Sequence, residues 1–165
     1  RRVHMSSALS LLGLTMKSAS ETIHGYPEIA DFIVSNGTSV EKSLQELYRR
    51  VAFTICIGNA DDHLKNHAFL LTKRGWELSP VYDINPSLYR SHCLLIDGKS
   101  NESSLERLYN AHEMYKLDEN TAHSIIKDVT QSMSHWESTA RDCGISNKEM
   151  ELFSQRFQEG CVSLH

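Results

Sequence analysis

No stretch of this 165-residue sequence is apolar for long enough to cross a membrane. The longest nearly apolar run, Val51 to Ile57, falls far short of the roughly 20 residues that a spanning helix needs. Basic charge is also scarce: 17 Lys and Arg face 21 Asp and Glu for a net charge of −4, so no general positive field exists to hold nucleic acid. The four cysteines, Cys56, Cys93, Cys143 and Cys161, include no C-x-x-C pair and no finger spacing. A disulfide scaffold is therefore not expected, Cys56 reads as a core residue, and a reducing cytoplasm is the expected location. Only three prolines (Pro27, Pro80, Pro86) and eight glycines punctuate the chain, and it has no repeat, low-complexity tract or long linker. Arg1-Arg2 ahead of Ala8-Leu9-Ser10-Leu11-Leu12 imitates a twin-arginine export signal but lacks its apolar stretch and cleavage site. What is present is an ordinary globular mixture, 40% apolar and 23% charged, in one domain large enough for a core. The first residue is Arg rather than Met, which is read as the start of a piece of a longer protein.

Helix signals dominate both ends. Ser6 or Ser7 opens a short helix carrying Leu9, Leu11 and Leu12, stopped by Gly13. Pro27 suits a first helical turn, followed by Ile29, Ala30, Phe32 and Ile33, with Asn36-Gly37 as the stop. Thr38-x-x-Glu41 is a capping box for a longer helix whose buried stripe is Val40, Leu44, Leu47, Val51 and Ile55. Ala68 to Leu71 and Trp76 to Leu78, joined by Lys73-Arg74-Gly75, read as a β-hairpin. Helical pattern resumes past Ser103-x-x-Glu106. Asp118 then caps one long helix through Ala122, Ile125, Ile126, Val129, Met133, Trp136 and Ala140 to Gly144, and Ser146-x-x-Glu149 opens the last, with Met150, Phe153 and Phe157 inward. The expected architecture is mainly α, interrupted by one hairpin and a polar loop.

Chemistry-bearing residues concentrate in that interruption. Gly58-Asn59-Ala60-Asp61-Asp62-His63-Leu64-Lys65-Asn66-His67 follows a buried helix directly, and Val81-Tyr82-Asp83 comes after the hairpin. A polar loop on a rigid apolar support is where active sites are commonly built. Asp61 and Asn66 have the D-x-x-x-x-N spacing of a phosphoryl-transfer loop, and Asp83 stands where a second metal-binding carboxylate belongs. The residue types suit the task. A carboxylate orients a hydroxyl, Asn and Asp oxygens are hard donors for Mg²⁺, and Lys65 can neutralise charge on a transferred group. Two other readings stay open. His63 and His67, at i and i+4, can join Asp61, Asp62 or Asp83 in a hydrolase metal site, although Leu64 stands where H-E-x-x-H has its Glu. Alternatively Asp61 or Asp62 caps a short helix in a plain polar turn, with His67 a structural hydrogen-bonder.

The run Ile57-Gly-Asn-Ala-Asp-Asp-His-Leu-Lys-Asn66, followed by Trp76-Glu-Leu-Ser-Pro-Val-Tyr-Asp-Ile-Asn-Pro86, resembles the HipA-like serine/threonine kinases of bacterial toxin–antitoxin modules. Arg2-Val3-His4-Met5-Ser6 is similar to that family's segment entering its C-terminal lobe, and Ser134 to Ala140 with Cys143-Gly-Ile to its late helical section. The resemblance implies the helical C-terminal lobe of a protein-kinase-like fold, with one small hairpin around the active-site loop. It implies Asp61 as catalytic carboxylate, Asn66 and Asp83 as Mg²⁺ ligands, and His63 and Lys65 near the phosphates of ATP. Tyr82 would lie near the adenine or in the core. It also implies a protein substrate, an aminoacyl-tRNA synthetase among the family's targets, and a small DNA-binding antitoxin as partner; no direct nucleic-acid or membrane contact is expected from the charge balance and the short apolar runs.

One departure matters. The glycines are Gly13, Gly25, Gly37, Gly58, Gly75, Gly98, Gly144 and Gly160, so these residues contain no Gly-rich phosphate loop. The family keeps that loop, and a nucleotide-pairing lysine, in an N-terminal lobe. Residues 1–165 are thus read as the catalytic-loop lobe, inactive alone. The rival of another class is a non-catalytic relic or partner-binding fragment, from which loss of Asp61, Asn66 or Asp83 would be expected.

Overall fold

The computed structural model describes residues 2–89 and 91–162; Arg1, half of the twin-arginine imitation, lies outside the described residues. In chain order the elements are β1 (Met5–Ser7), α1 (Ala8–Leu11), α2 (Met16–Glu21), α3 (Tyr26–Asn36), α4 (Val40–Ile57), β2 (Ala68–Leu71), β3 (Trp76–Leu78), α5 (Leu105–Asn110), a 3₁₀ turn (His112–Tyr115), α6 (Glu119–Met133), α7 (Trp136–Asp142) and α8 (Asn147–Gly160). Among the described residues no helix is long and apolar enough to cross a membrane.

Several helices start where a short oxygen-bearing side chain can satisfy the free N–H groups of a first turn. Ser7, Asp118 and Ser146 accept from the backbone N–H of Ser10, Thr121 and Glu149, and Glu149 returns the bond to complete a capping box. Two expected starts differ. Thr38 does not cap α4, because the sheet claims it: its N–H donates to the Trp76 carbonyl and its hydroxyl to Glu77, leaving Ser39 as an N-cap with no side-chain bond. At α5 the cap is Ser104, one residue late, because the Ser103 hydroxyl is engaged with Ile55 and Arg156.

α4 is the axis of the molecule. Leu44, Leu47, Val51 and Ile55 are buried along it as the stripe predicts, and α6, α8 and α3 pack around it. Tyr48 is fully buried in the same helix, stacked edge-on against Tyr115 at 5.2 Å with its hydroxyl donating to the Leu108 carbonyl. β2 and β3 form the expected hairpin. Its unforeseen neighbour is β1, antiparallel to β2 with Met5 opposite Leu70 and Ser7 opposite Ala68. Phe69 of β2 meets Phe32 of α3 at 4.9 Å, tying sheet to helices.

The single long helix expected from Asp118 to Gly144 is two helices. Thr130, Ser132 and Ser134 turn their hydroxyls onto backbone carbonyls of the preceding turn, at Ile126, Asp128 and Gln131. Such back-bonding competes with the helix ladder, and the axis breaks at Ser134-His135. Trp136 then packs edge-on against Phe157 of α8, 4.9 Å away. Met150 is buried, whereas Phe153 and Phe157 are only half-buried. α2 was not foreseen at all; none of its residues is buried, so no apolar stripe announces it.

Gly160 at the end of α8 marks the tightest crossing. A Cβ there would collide with the Cys56 carbonyl oxygen and lie 2.8 Å from that of Ile55. In an open helix Gly→Ala stabilises by about 1 kcal/mol. Here the sign reverses: Gly160→Ala is expected to destabilise by about 1–3 kcal/mol, as overpacking does, read as a drop in the denaturation midpoint at unchanged m-value.

Candidate active site

The loop between α4 and β2 exists because α4 stops abruptly. Gly58 takes the left-handed conformation (φ 66°) and its N–H turns back to Ile55 and Thr54. Asn59 and Ala60 are then fixed through their carbonyls, which accept from the His92 ring nitrogen Nδ1 at 3.0 Å and the Cys93 N–H at 3.1 Å. The two adjacent aspartates part company. Asp61 is exposed; Asp62 points inward, 4% exposed. The Asp62 carboxylate accepts from the Tyr26 hydroxyl at 2.8 Å and from His67 Nε2 at 3.0 and 3.1 Å. From the other side, the Ala8 and Leu9 N–H groups donate to the carbonyls of His67 and Leu64, at 2.7 and 3.3 Å.

A second segment crosses this loop and is strapped to it at two points. The Tyr82 hydroxyl donates to the Lys65 carbonyl at 2.5 Å, and the Ser87 N–H to the Gly58 carbonyl at 3.2 Å. Asp83 lies between those straps. Its φ of 57° is left-handed, unusual for a residue with a Cβ, and costs on the order of 1 kcal/mol. Asn85 steadies the Asp83 carboxylate with a bond of 3.0 Å. Asn66 is buried, and its amide nitrogen donates to the Asp61 carbonyl at 3.3 Å, so its oxygen is turned away from that bond. An amide oxygen and a carboxylate are the hard donors that Mg²⁺ takes, in the small number it takes from protein. The donor set fits that ion.

Electrostatics separate the structural from the available groups. Burial pushes the Asp62 carboxyl upward, but the His67 hydrogen bond and charge, aided by the Tyr26 hydroxyl, outweigh it and hold Asp62 below the usual carboxylate range. Burial pushes His92 down, against its bond to Asn59, so its ring stays neutral further into acid than a free histidine. Burial, then the charges of Asp83 and Asp62, raise the Tyr82 phenol and keep it a donor. Cys93, with its sulfur 4.0 Å from the Asp61 carboxylate, is likewise held protonated by partial burial and then by that charge.

Residues 1–137 match the family model described as the HipA-like C-terminal domain. The chain belongs to that family. Over 65 residues it is 32% identical to a candidate kinase of Haemophilus influenzae, a match covering 39% of this chain and 19% of that protein. Its fold is also that of the HipA chain in the Shewanella oneidensis MR-1 toxin–antitoxin complex of HipA, HipB and operator DNA. That superposition has a TM-score of 0.73 at 17% identity and covers 97% of this chain and 42% of the other. The chain thus spans less than half the length of either relative.

Within this HipA-like domain the residues singled out from sequence are distributed as follows. Asp61 lines an open cleft of about 560 Å³ with Ala60, Ser87, Tyr89 and Ser91. His63 and Lys65 line a different one, about 240 Å³, against Met16, Ala19 and Ile23 of the α2 region. Tyr82 is 37% exposed and serves as a strap, so the core position allowed for it is not where it sits. Asn66 and Asp83 are brought to the two facing segments. His67 is the structural hydrogen-bonder expected, its Nε2 engaged with Asp62, and among the described residues no three His, Cys, Asp or Glu side chains form a metal cluster. The two-histidine site is therefore not formed. Sequence reasoning missed Tyr26, His92 and Arg156, the last packed over Gly58. No local signal links them to the loop, since each lies at least 25 residues from it.

A neutral buried histidine makes stability depend on pH. The unfolded chain binds a proton at His92 below about pH 6.5 and the folded chain resists it, so stability is full above that value and falls as pH is lowered. Melting temperatures between about pH 7 and pH 5 are expected to decline with a shallower slope in His92→Asn, which keeps a donor for the Asn59 carbonyl but cannot titrate. An unchanged slope would exclude His92 as the source.

Proposed function

We propose that this domain is the catalytic-loop lobe of a kinase that transfers a phosphoryl group from ATP to a Ser or Thr hydroxyl of a protein. The observation that carries this reading is the strapping of the Asp83 segment onto the Asp61–Asn66 loop by Tyr82 and Ser87. It keeps an exposed carboxylate, a buried amide and a second carboxylate on two segments held together by hydrogen bonds.

Each residue then has a task. Asp61, exposed in its cleft with the Cys93 thiol beside one oxygen, accepts the hydrogen bond of the incoming hydroxyl and aims its oxygen; positioning of this kind carries much of phosphoryl-transfer catalysis. Asn66 steadies the Asp61 backbone through its amide nitrogen, which leaves its oxygen available to a metal ion. A magnesium ion held by Asn66 and Asp83 together with nucleotide phosphates would supply neutralisation of the phosphate charge. His63 and Lys65 line the separate cleft against α2, and the phosphate-side role proposed for them, with Lys65 neutralising charge on the transferred group, rests on the family resemblance. The other wall of a nucleotide cleft, with its phosphate-binding amides and lysine, is assigned to a segment beyond these residues, so the 165 residues by themselves are proposed to be inactive.

The retention of Asp61, Asn66 and Asp83 together supports an enzyme over a partner-binding relic. The Shewanella relative's complex with HipB supports a small DNA-binding antitoxin as the partner. An acidic lobe fits contact with protein rather than DNA, in the cytoplasm, with an aminoacyl-tRNA synthetase as the substrate implied by the family.

Asp61→Asn in the longer protein carrying this domain is expected to reduce phosphoryl transfer by about 100-fold or more, with nucleotide affinity retained; labelled-phosphate transfer measured beside nucleotide titration decides it, and near-normal turnover removes Asp61 from this role. Asp83→Asn should raise the Mg²⁺ concentration needed for half-maximal transfer, whereas a dependence on zinc abolished by His67→Ala would favour the hydrolase reading instead.

A further inference from the structure

All four cysteines are free thiols, and two of them lie where the end of α8 crosses the end of α4. Cys56 is fully buried in the last turn of α4; Cys161, half-buried, directly follows α8. Gly160 permits the approach, since its Cα lies directly against the Cys56 backbone. The Cys161 side chain packs against the buried cluster that contains Cys56. The neighbouring Cys161 sulfur, and then burial, push the Cys56 thiol up. The Cys56 thiol in turn pulls Cys161 down, and Arg156, five residues back on α8, adds its positive charge against the opposing effect of burial. The two thiols are thus unequal: an accessible one inclined to ionise, and a buried one beside it that holds its proton. Neither takes part in the site described above, though both stand immediately behind it, because Cys56 is two residues before Gly58 and Arg156 packs over Gly58.

We propose that Cys56 and Cys161 are a redox-sensitive pair that closes to a disulfide when the chain meets a low-molecular-weight disulfide, latching the end of α8 to the end of α4. The Cys161 thiolate attacks one sulfur of the reagent, forming a Cys161–reagent S–S bond while the reagent's own S–S bond breaks and one thiolate leaves, taking up a proton. Cys56 then gives up its proton and attacks the Cys161 sulfur; the Cys56–Cys161 bond forms, the mixed disulfide breaks, and the second reagent thiolate leaves. Two protein thiols are oxidised and one disulfide is reduced to two thiols. Cys161 must be the point of entry, because Cys56 is 0% exposed. Cys93 and Cys143 are both exposed, and Cys93 faces the Asp61 carboxylate, which opposes its ionisation. In a reducing compartment a bond of this kind is transient and responsive rather than a permanent staple. It would join residues 105 apart in sequence, and long closed loops restrict the unfolded chain most.

The test exposes the full chain to oxidised glutathione, quenches with an alkylating reagent and maps the peptides by mass spectrometry. The expected product has lost two hydrogens, joins the Cys56 and Cys161 peptides, and leaves Cys93 and Cys143 alkylated. Its melting temperature should exceed that of the reduced chain by about 5–10 °C and return on treatment with dithiothreitol. Cys161→Ser should show neither closure nor shift, while Cys93→Ser should close as the parent does. A glutathione adduct that persists on Cys161, a cross-link through Cys93 or Cys143, or closure with no rise in melting temperature would each overturn the proposal. None of these readouts depends on phosphoryl transfer, so the result stands apart from the kinase reading.

Discussion

A carboxylate taken out of water must be met by donors on every side or it unfolds what surrounds it. Asp62 is in that position. Its two oxygens are met by Tyr26 from α3 and by His67 from the far end of its own loop, and everything nearby follows from satisfying it. Because Asp62 turns inward, its neighbour Asp61 turns outward. His67, five residues on, must fold back beneath the loop, which makes 62–67 a closed ring with a buried hub. The α3 helix is required at that spot for its tyrosine. The exposed face of the loop, Asp61 included, is therefore held by a charge buried beneath it.

The support beneath the ring is equally specific. α4 delivers the loop from the centre of the core, and the left-handed Gly58 ends it at one defined residue. Hydrogen bonds on both flanks then close around it: the backbone of Ala8 and Leu9 from one side, the backbone of Ser87 and Cys93 and the His92 ring from the other. A strained Asp83 fits this picture, since backbone in an unfavourable region survives only where its surroundings over-determine it, and the straps at Tyr82 and Ser87 do so.

Most helices were legible because their starts carry side-chain oxygens and their buried faces repeat every three or four residues. At the starts of α4 and α5, where the capping signal misled, a longer-range bond had taken the residue concerned. Thr38 has the right spacing for a cap, but Glu77 and Trp76 engage it from the sheet. The break at Ser134-His135 is hidden because apolar positions continue in register across it to Trp136 and Ala140; only the clustered hydroxyls disclose it. β1 is three residues long, too short for an alternation to register. At the site, the Asp61–Asn66 spacing and Asp83 were readable as a pattern, whereas which of two adjacent aspartates is buried was not. That choice is made by Tyr26, 36 residues upstream, and no local pattern encodes a partner at that distance.

The double-sided closure of the loop also bears on how the protein comes into being at the ribosome. α4 can form as soon as it emerges, since its bonds are internal. The ring that follows cannot, because its outer fastenings at Ser87, His92 and Cys93 are synthesised later, and Arg156 later still. A nascent chain halted anywhere in the hairpin has Asp61 and Asn66 already in place along its sequence and no geometry to hold them. The geometry of the loop is therefore the last part of the fold to be fixed.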